Sequence, residues 1–397
     1  MDIHILAILA VAIVIAIGAR RIHLPYTVGL VVVGAVLAVS PIDFGMALTH
    51  DFIFEVILPP LLFEAAITLP WPELRRDLMP ILVLSTLGTV MAAAAVAAGM
   101  IFLLHWPLAA SLVFGTLIAA TDPVSVIAMF KDNGVKGRLR LLVESESLFN
   151  DGIAAVLFTA VLAWAEADSG NPYTPAAAIG ALVLTIAGGI AIGLLCGAIA
   201  IVVAGRTSEH LVEAALTMVA AYGAFALAEQ LHVSGVLATV AAGLLMGNLG
   251  ALRDTEQGPL SLEGREFVLA FWEFAAFLAN SIIFPLIGVS IARLGLNSFG
   301  TVSLMAAIGI VLAGRALTVY PLSLLFWKSK RAIPLGQQHV LWWGGLRGAL
   351  ALALALALPP TLALRNEIVL TTFAVVAFSI IVQGVTMPLL LRRLGQG

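Results

Sequence analysis

Charge is what this sequence has least of. Lys and Arg number 20 and Asp and Glu 23, so charged residues make up 11% of the 397, against about 25% in a soluble domain. Hydrophobic residues make up 61% and the mean hydropathy is +1.09. That balance excludes a soluble enzyme, a nucleic-acid binder and a disordered chain. Cysteine is nearly absent as well. Cys196 alone excludes an internal disulfide, a CxxC redox motif and a cysteine metal cluster, and its apolar run reads as packing. There is no GxxxxGK[ST] and no HExxH, so neither a nucleotide nor any other cofactor is expected. Positive charge is missing ahead of the first apolar run, near residues 3–19, and Arg20 and Arg21 follow it. The run therefore reads as a first membrane span and not as a cleaved signal peptide. No stretch between apolar runs is long enough for a soluble domain, and no soluble tail is expected beyond Arg392 and Arg393.

What is present is a succession of apolar runs of about 20 residues, the length of a transmembrane helix. A transmembrane β-barrel would alternate apolar and polar residues instead. The expected fold is all-α and polytopic, with about 13 helices. Their expected spans are 3–19, 25–40, 53–69, 79–104, 107–129, 141–164, 175–204, 210–230, 233–249, 268–291, 299–327, 336–358 and 367–391. With the N-terminus outside, all but four of the 20 Lys and Arg fall on the inner side. Arg293 and Arg365 fall outside, while Arg315 and Arg347 fall within spans. That asymmetry places the C-terminus in the cytoplasm.

The fifth and twelfth spans are the two oddest. Seven spans separate them, which reverses direction and is compatible with two inverted six-helix repeats. The expected division is residues 1–164, a linker helix within 165–209, and residues 210–397, all in one integral membrane domain. Paired, interrupted helices at matching positions point to the binding site of a secondary transporter.

Ionisable groups within spans are functional candidates by default. The densest patch is Glu144-Ser145-Glu146-Ser147-Leu148-Phe149-Asn150-Asp151. Glu146 with Asn150, and Ser147 with Asp151, are i,i+4 neighbours, so the four share one polar helix face. Such a face cannot look at lipid. The fifth span carries Thr121-Asp122-Pro123. Proline there removes a helix hydrogen bond and frees backbone groups near Thr121, leaving either a cation site or a proline kink with a satisfied Asp. Glu64, in the third span, is either a third acid at the same site or a gate carboxylate. The twelfth span reads Trp342-Trp343-Gly344-Gly345-Leu346-Arg347-Gly348, followed by alternating Ala and Leu that read as helix. Its glycines permit unwinding, and Arg347 is suited to compensate charge at the broken helices. Arg315 needs an acidic partner, either Glu146 or Glu144. Glu213, Glu229 and Glu273 lie nearer span ends and read as interfacial or structural.

Carboxylates gathered in one cavity repel one another, and burial also disfavours their charged forms. They hold a proton or a monovalent cation, but not comfortably both. Competition for one site is itself an exchange mechanism. A passive cation-selective channel is the alternative reading, since acid rings also select cations. An intramembrane aspartyl protease would need two catalytic aspartates, and no GD dipeptide occurs.

These stretches resemble the cation:proton antiporter superfamily, specifically its NhaP-type and sodium–proton exchanger branch. The resemblance runs from Phe114-Gly115-Thr116 through Thr121-Asp122-Pro123-Val124-Ser125-Val126 and Lys131 to Arg140, then Glu146 to Asp151. It continues through Ser234-Gly235-Val236-Leu237-Ala238, Phe271-Trp272-Glu273-Phe274, Asn280-Ser281 and Gly344 to Ala349. It implies 13 helices in inverted repeats, interrupted helices crossing at the ion site, and a homodimer embedded in lipid. It implies that Asp151 is the main cation and proton carboxylate. Asp122, Glu64, Ser147 and the Thr121 carbonyl would complete the coordination of a monovalent cation, with Pro123 and Arg347 supporting the site. Asn150 in front of Asp151 implies electroneutral exchange of sodium for a proton; ligand type alone does not fix ion size, so lithium or potassium stays open beside sodium. Glu146 would pair with Arg315. Ser145 departs from the glycine common in relatives. The short C-terminus implies a prokaryotic inner-membrane protein.

Overall fold

The computed structural model describes residues 10, 13–15, 17–18, 25–38, 48–122, 126–127, 130, 134–166, 175–251, 259–293 and 300–395. The expected first span and Pro123 therefore fall largely or wholly outside the described residues. Among the described residues every regular element is helical. The chain opens with α1 (Tyr26–Ala38), then a π-helical turn (Phe52–Ile57) that runs into α2 (Leu58–Ile67). Next come α3 (Trp71–Ser85), α4 (Leu87–Leu104) and α5 (Leu108–Leu117). The long helices α6 (Arg138–Glu166), α7 (Pro175–Ala204) and α8 (His210–Gln230) follow. After α9 (Gly235–Met246) and a π turn (Gly247–Ala251) lie α10 (Leu262–Arg293) and α11 (Thr301–Leu324). The chain ends with α12 (Leu335–Trp343), α13 (Ala349–Leu356), α14 (Arg365–Phe378), a π turn (Ser379–Gln383) and α15 (Gly384–Arg393).

Seven helical stretches are long and apolar enough to cross a membrane: Trp71–Leu104, Arg138–Glu166, Ile179–Ala204, His210–Gln230, Leu262–Ala292, Thr301–Leu324 and Arg365–Arg393. Two helix starts differ by more than three residues from those read in the sequence. The fourth span starts at Trp71 and not at 79. Its first turns are amphipathic: Leu74, Asp77 and Ile81 are buried while Arg75 and Arg76 are exposed, a pattern that counting apolar residues misses. The tenth starts at Leu262 and not at 268 for a similar reason. Its first turn is anchored by buried Glu213 of α8, which accepts hydrogen bonds from the Ser261 amide at 3.0 Å and the Ser261 hydroxyl at 3.0 Å. Glu213 is thus structural.

With lipid on one side, helices gain little from hydrophobic burial against each other and rely on close packing. α1 and α10 achieve this with glycine: a Cβ on Gly34 would strike the Pro285 backbone, and one on Gly288 would strike that of Val31. α7 meets α9 the same way, through Gly193 on Ala238. The outward side of α7 is apolar and exposed at Ile179, Val183, Leu184 and Leu195. α13, the alternating Ala-Leu segment, is instead buried from Ala349 to Ala355. It sits in the main core with α5, α6 and α14. The middle of the molecule is therefore built from the two interrupted spans and the polar helix α6.

Candidate cation site at the crossing of two broken helices

α5 stops at Leu117, and residues 120–122 are not helical. α12 stops at Trp343, and the chain is extended or irregular through Gly348 before α13 begins. The two breaks meet. The Asp122 amide donates to the Leu346 carbonyl at 2.7 Å. One guanidinium nitrogen of Arg347, Nη1, donates to the Ala119 carbonyl at 2.7 Å and to the Ala120 carbonyl at 2.9 Å. Arg347 is 2% exposed. A helix that ends inside a membrane leaves carbonyls with no water to satisfy them. Arg347 satisfies those of α5 and places a cation at the helix's negative end. Gly348 makes the approach feasible, because a Cβ there would overlap the Asp122 carboxyl.

The polar face of α6 abuts this crossing. Glu146, Ser147, Asn150 and Asp151 are all buried. The Thr121 hydroxyl donates to the Ser147 hydroxyl at 3.1 Å. The Asn150 amide donates to the Thr121 hydroxyl at 3.3 Å and to Glu146 Oε1 at 3.4 Å. Asp151 Oδ1 is buried with no hydrogen-bond partner, and so is Asn150 Oδ1. Asp122, Glu146 and Arg347 all act electrostatically on Asp151. The carboxylate thus feels two like charges and one opposite charge in a dry setting.

Arg315 of α11 grips Glu146 with both ends of its fork, Nη1 to Oε1 at 2.8 Å and Nη2 to Oε2 at 2.7 Å. Nη2 also donates to the Leu341 carbonyl at 3.3 Å. Glu144 is paired instead with Arg140, one turn away at 3.4 Å, so the choice left open by the sequence falls to Glu146. The residue in the unusual position, Ser145, is fully buried and its hydroxyl has no partner.

The structure brings Thr121, Asp122, Ser147, Asn150 and Asp151 together, with Glu146, Arg315 and Arg347 around them. Glu64 lies in α2. It and Asp122 both act on Tyr26 of α1, but among the described residues no three of His, Cys, Asp and Glu converge as a metal-holding group. The Thr121 hydroxyl links the broken helix to Ser147 and Asn150 of α6. Sequence reasoning assigned no role to Asn280, whose Oδ1 is buried with no hydrogen-bond partner. The available signal was an amide near the middle of an apolar helix, quoted there only as part of the family resemblance.

Unpartnered carboxylate and amide oxygens beside two hydroxyls form an oxygen-only donor set, which suits a proton or a small hard cation. Broken helices that meet around such donors in a polytopic helical bundle define a secondary transporter. The chain belongs to the sodium/hydrogen exchanger family: the family described as "Sodium/hydrogen exchanger, transmembrane" matches residues 6–393. It is 38% identical over 378 residues to the Na(+)/H(+) antiporter ApNhaP of Aphanothece halophytica, covering 94% of this chain and 70% of that protein. It is 33% identical to the Na(+)/H(+) antiporter NhaH of Halobacillus aidingensis, covering 99% of this chain and 98% of that one. Its fold is similar to that of the sodium proton antiporter MjNhaP1 from Methanocaldococcus jannaschii at pH 8, with a TM-score of 0.78, 21% identity, and 98% and 97% of the two chains covered.

Proposed function

We propose that this protein exchanges sodium for protons across a prokaryotic inner membrane by alternating access, with both ions competing for Asp151. The observation that carries this reading is the buried Asp151 oxygen that lacks any partner, beside Thr121 and Ser147. A carboxylate in that position gains from either a proton or a cation, and the charge of one opposes binding of the other. Asp122, Glu64, Ser147 and Thr121 complete the cation's shell. Asn150, a neutral amide where a second carboxylate would add charge, supports electroneutral exchange. Lithium or potassium enters the same oxygen set with different fit. No nucleotide or other cofactor takes part in the cycle. The halves 1–164 and 210–397 act as inverted repeats about the linker helix, in a homodimer with the N-terminus outside and the C-terminus in the cytoplasm.

The test uses purified protein in liposomes. A sodium gradient is imposed, the voltage is clamped at zero with potassium and valinomycin, and lumenal pH is followed. Sodium-driven proton movement that is insensitive to the clamped voltage and absent in Asp151→Asn is expected. Coupled transport retained in Asp151→Asn overturns the assignment of the carboxylate. Sodium uptake without proton movement overturns exchange itself.

A further inference from the structure

Two apolar spans end at one edge of the molecule, away from the ion site: Trp71–Leu104 begins there and Thr301–Leu324 finishes there. The edge carries a group of cations. Arg75 and Arg76 are exposed in the first turns of α3, and Lys328, Lys330 and Arg331 are exposed in the segment that joins α11 to α12. Arg331 Nε donates to the Arg76 carbonyl at 2.9 Å, which brings the two sets together. Little negative charge offsets them. Asp77 is taken by Arg138, and Glu73 is the one exposed carboxylate of α3. Among the described residues no ion pair involves any of the five cations. The joining segment is a built structure. The amides of Phe326, Trp327, Ser329 and Ala332 each donate to the carbonyl three residues back. Arg138 holds the carbonyls of Arg331 at 2.8 Å and Ala332 at 2.7 Å. The cations are therefore presented in advance, which lowers the entropy lost on binding a ligand.

Apolar surface adjoins this charge. Trp327 is 68% exposed, Leu325 65% and Leu324 62%, and the Lys328 ammonium lies 4.9 Å from the centre of the Trp327 ring. A tryptophan at the end of a span belongs at the level of the lipid headgroups. We propose that this edge is a binding site for an anionic phospholipid, with the headgroup phosphate on Lys328, Lys330, Arg331 and the two α3 arginines, and the acyl chain along Leu324, Leu325 and Trp327. Basic clusters beside a span attract anionic headgroups, and the exposed apolar strip selects a lipid over free phosphate, which would leave it uncovered. The proposal stands independently of the exchange reading. Its consequence for the molecule is mechanical: Arg138 ties the same segment to α3 and belongs to the ion-site helix α6, so a lipid seated here braces α3 against the lead into α12.

The test follows tryptophan fluorescence of the full chain in phosphatidylcholine liposomes as phosphatidylglycerol with brominated acyl chains, a contact quencher, is added. The Trp327 signal is the difference between the native protein and Trp327→Phe. Phosphatidylcholine brominated in the same way reports unselective contact. Half-quenching of Trp327 is expected at a mole fraction of phosphatidylglycerol lower by about 5-fold or more, since one lysine at an anionic surface contributes about that factor. The preference is expected to vanish in Lys328→Gln/Lys330→Gln. Both lysines are exposed, and thermal unfolding in detergent checks that the variant is folded; if it is not, Lys330→Gln alone carries the test with a partial loss. Arg206→Gln/Arg392→Gln removes two exposed cations elsewhere and is expected to leave the preference intact. Equal quenching by the two lipids in the native protein overturns the proposal. So does an equal loss in both double variants, which would mean a general attraction to the charged surface. Abolition of the preference by excess inorganic phosphate makes free phosphate the occupant and overturns the lipid. Binding of polyglutamate without any preference between the lipids makes the edge a surface for an acidic protein segment, and overturns it equally.

Discussion

Gly348 and Asp122 share one small volume where the two broken helices cross, and the carboxyl of Asp122 lies where a Cβ of residue 348 would be. The Asp122 amide is tied to Leu346 two residues away at 2.7 Å, so its backbone cannot yield easily. Gly348→Ala is therefore expected to push the Asp122 carboxyl aside while the helices stay formed. Misplacing a reacting group by about 1 Å costs up to about 100-fold. Exchange rate in proteoliposomes is expected to fall by 10- to about 100-fold, with helical content by circular dichroism retained. A Gly348→Ala protein with native exchange would show that the crossing tolerates an extra methyl and does not set the position of Asp122.

The Arg315–Glu146 pair makes the opposite prediction. Both ends of the fork are engaged, and the side chains are 6% and 2% exposed. Removing one partner leaves the other buried and uncompensated, which costs about 3–5 kcal/mol. Arg315→Ala and Glu146→Gln are each expected to lower the thermal unfolding temperature strongly. What exchange survives is expected to keep the native preference between sodium and lithium. Lysine cannot reproduce the two-pronged contact, so Arg315→Lys is expected to recover only part of the stability. An Arg315→Ala protein of native stability but altered ion preference would move the pair from scaffold to binding site.

The crossing was legible in the sequence because its causes are local. Thr121-Asp122-Pro123 and the glycines around Arg347 each disrupt a helix by themselves, and α6 displays its polar face through simple periodicity. Partner choice was less legible. Glu144 and Glu146 are two residues apart, and only the placement of α11 decides that Arg315 reaches Glu146 at 2.7 Å while Glu144 turns to Arg140. The start of α3 was misplaced because Arg75 and Arg76 look like a loop until burial of Leu74 and Asp77 shows a helix.

Asp77 has a further consequence. Arg138, at the start of α6, donates Nε to Asp77 Oδ2 at 3.0 Å and Nη2 to Oδ1 at 2.8 Å. It also donates to the Ala332 carbonyl at 2.7 Å and the Arg331 carbonyl at 2.8 Å. One guanidinium thus binds α3, the ion-site helix α6 and the segment that leads into α12. Arg138→Ala is expected to destabilise the protein by about 1–3 kcal/mol, because charged hydrogen bonds are lost and two carbonyls are released. Asp77→Asn keeps an acceptor and is expected to cost less. Thermal unfolding of both variants in one detergent checks the order. Equal losses would mean that the carbonyl contacts contribute nothing.

Asn150 links the site to its scaffold, and its chemistry there is that of a donor. Its amide nitrogen reaches the Thr121 hydroxyl at 3.3 Å and Glu146 at 3.4 Å. Asn150→Asp removes both donations and sets a second carboxylate against Glu146, which Arg315 already holds. The added charge cannot take Arg315 without releasing Glu146, so one of the two is left unpaired in a dry interior. The variant is expected to be destabilised, more in alkaline than in acidic buffer, because a proton on the added carboxyl restores a donor. Combining it with Glu146→Gln removes the repulsion and is expected to recover part of the loss. That recovery identifies repulsion as the cause, since two independent defects far from one another would add. If the double variant is worse than either single one, Asn150 acts through Asp151 and not through Glu146.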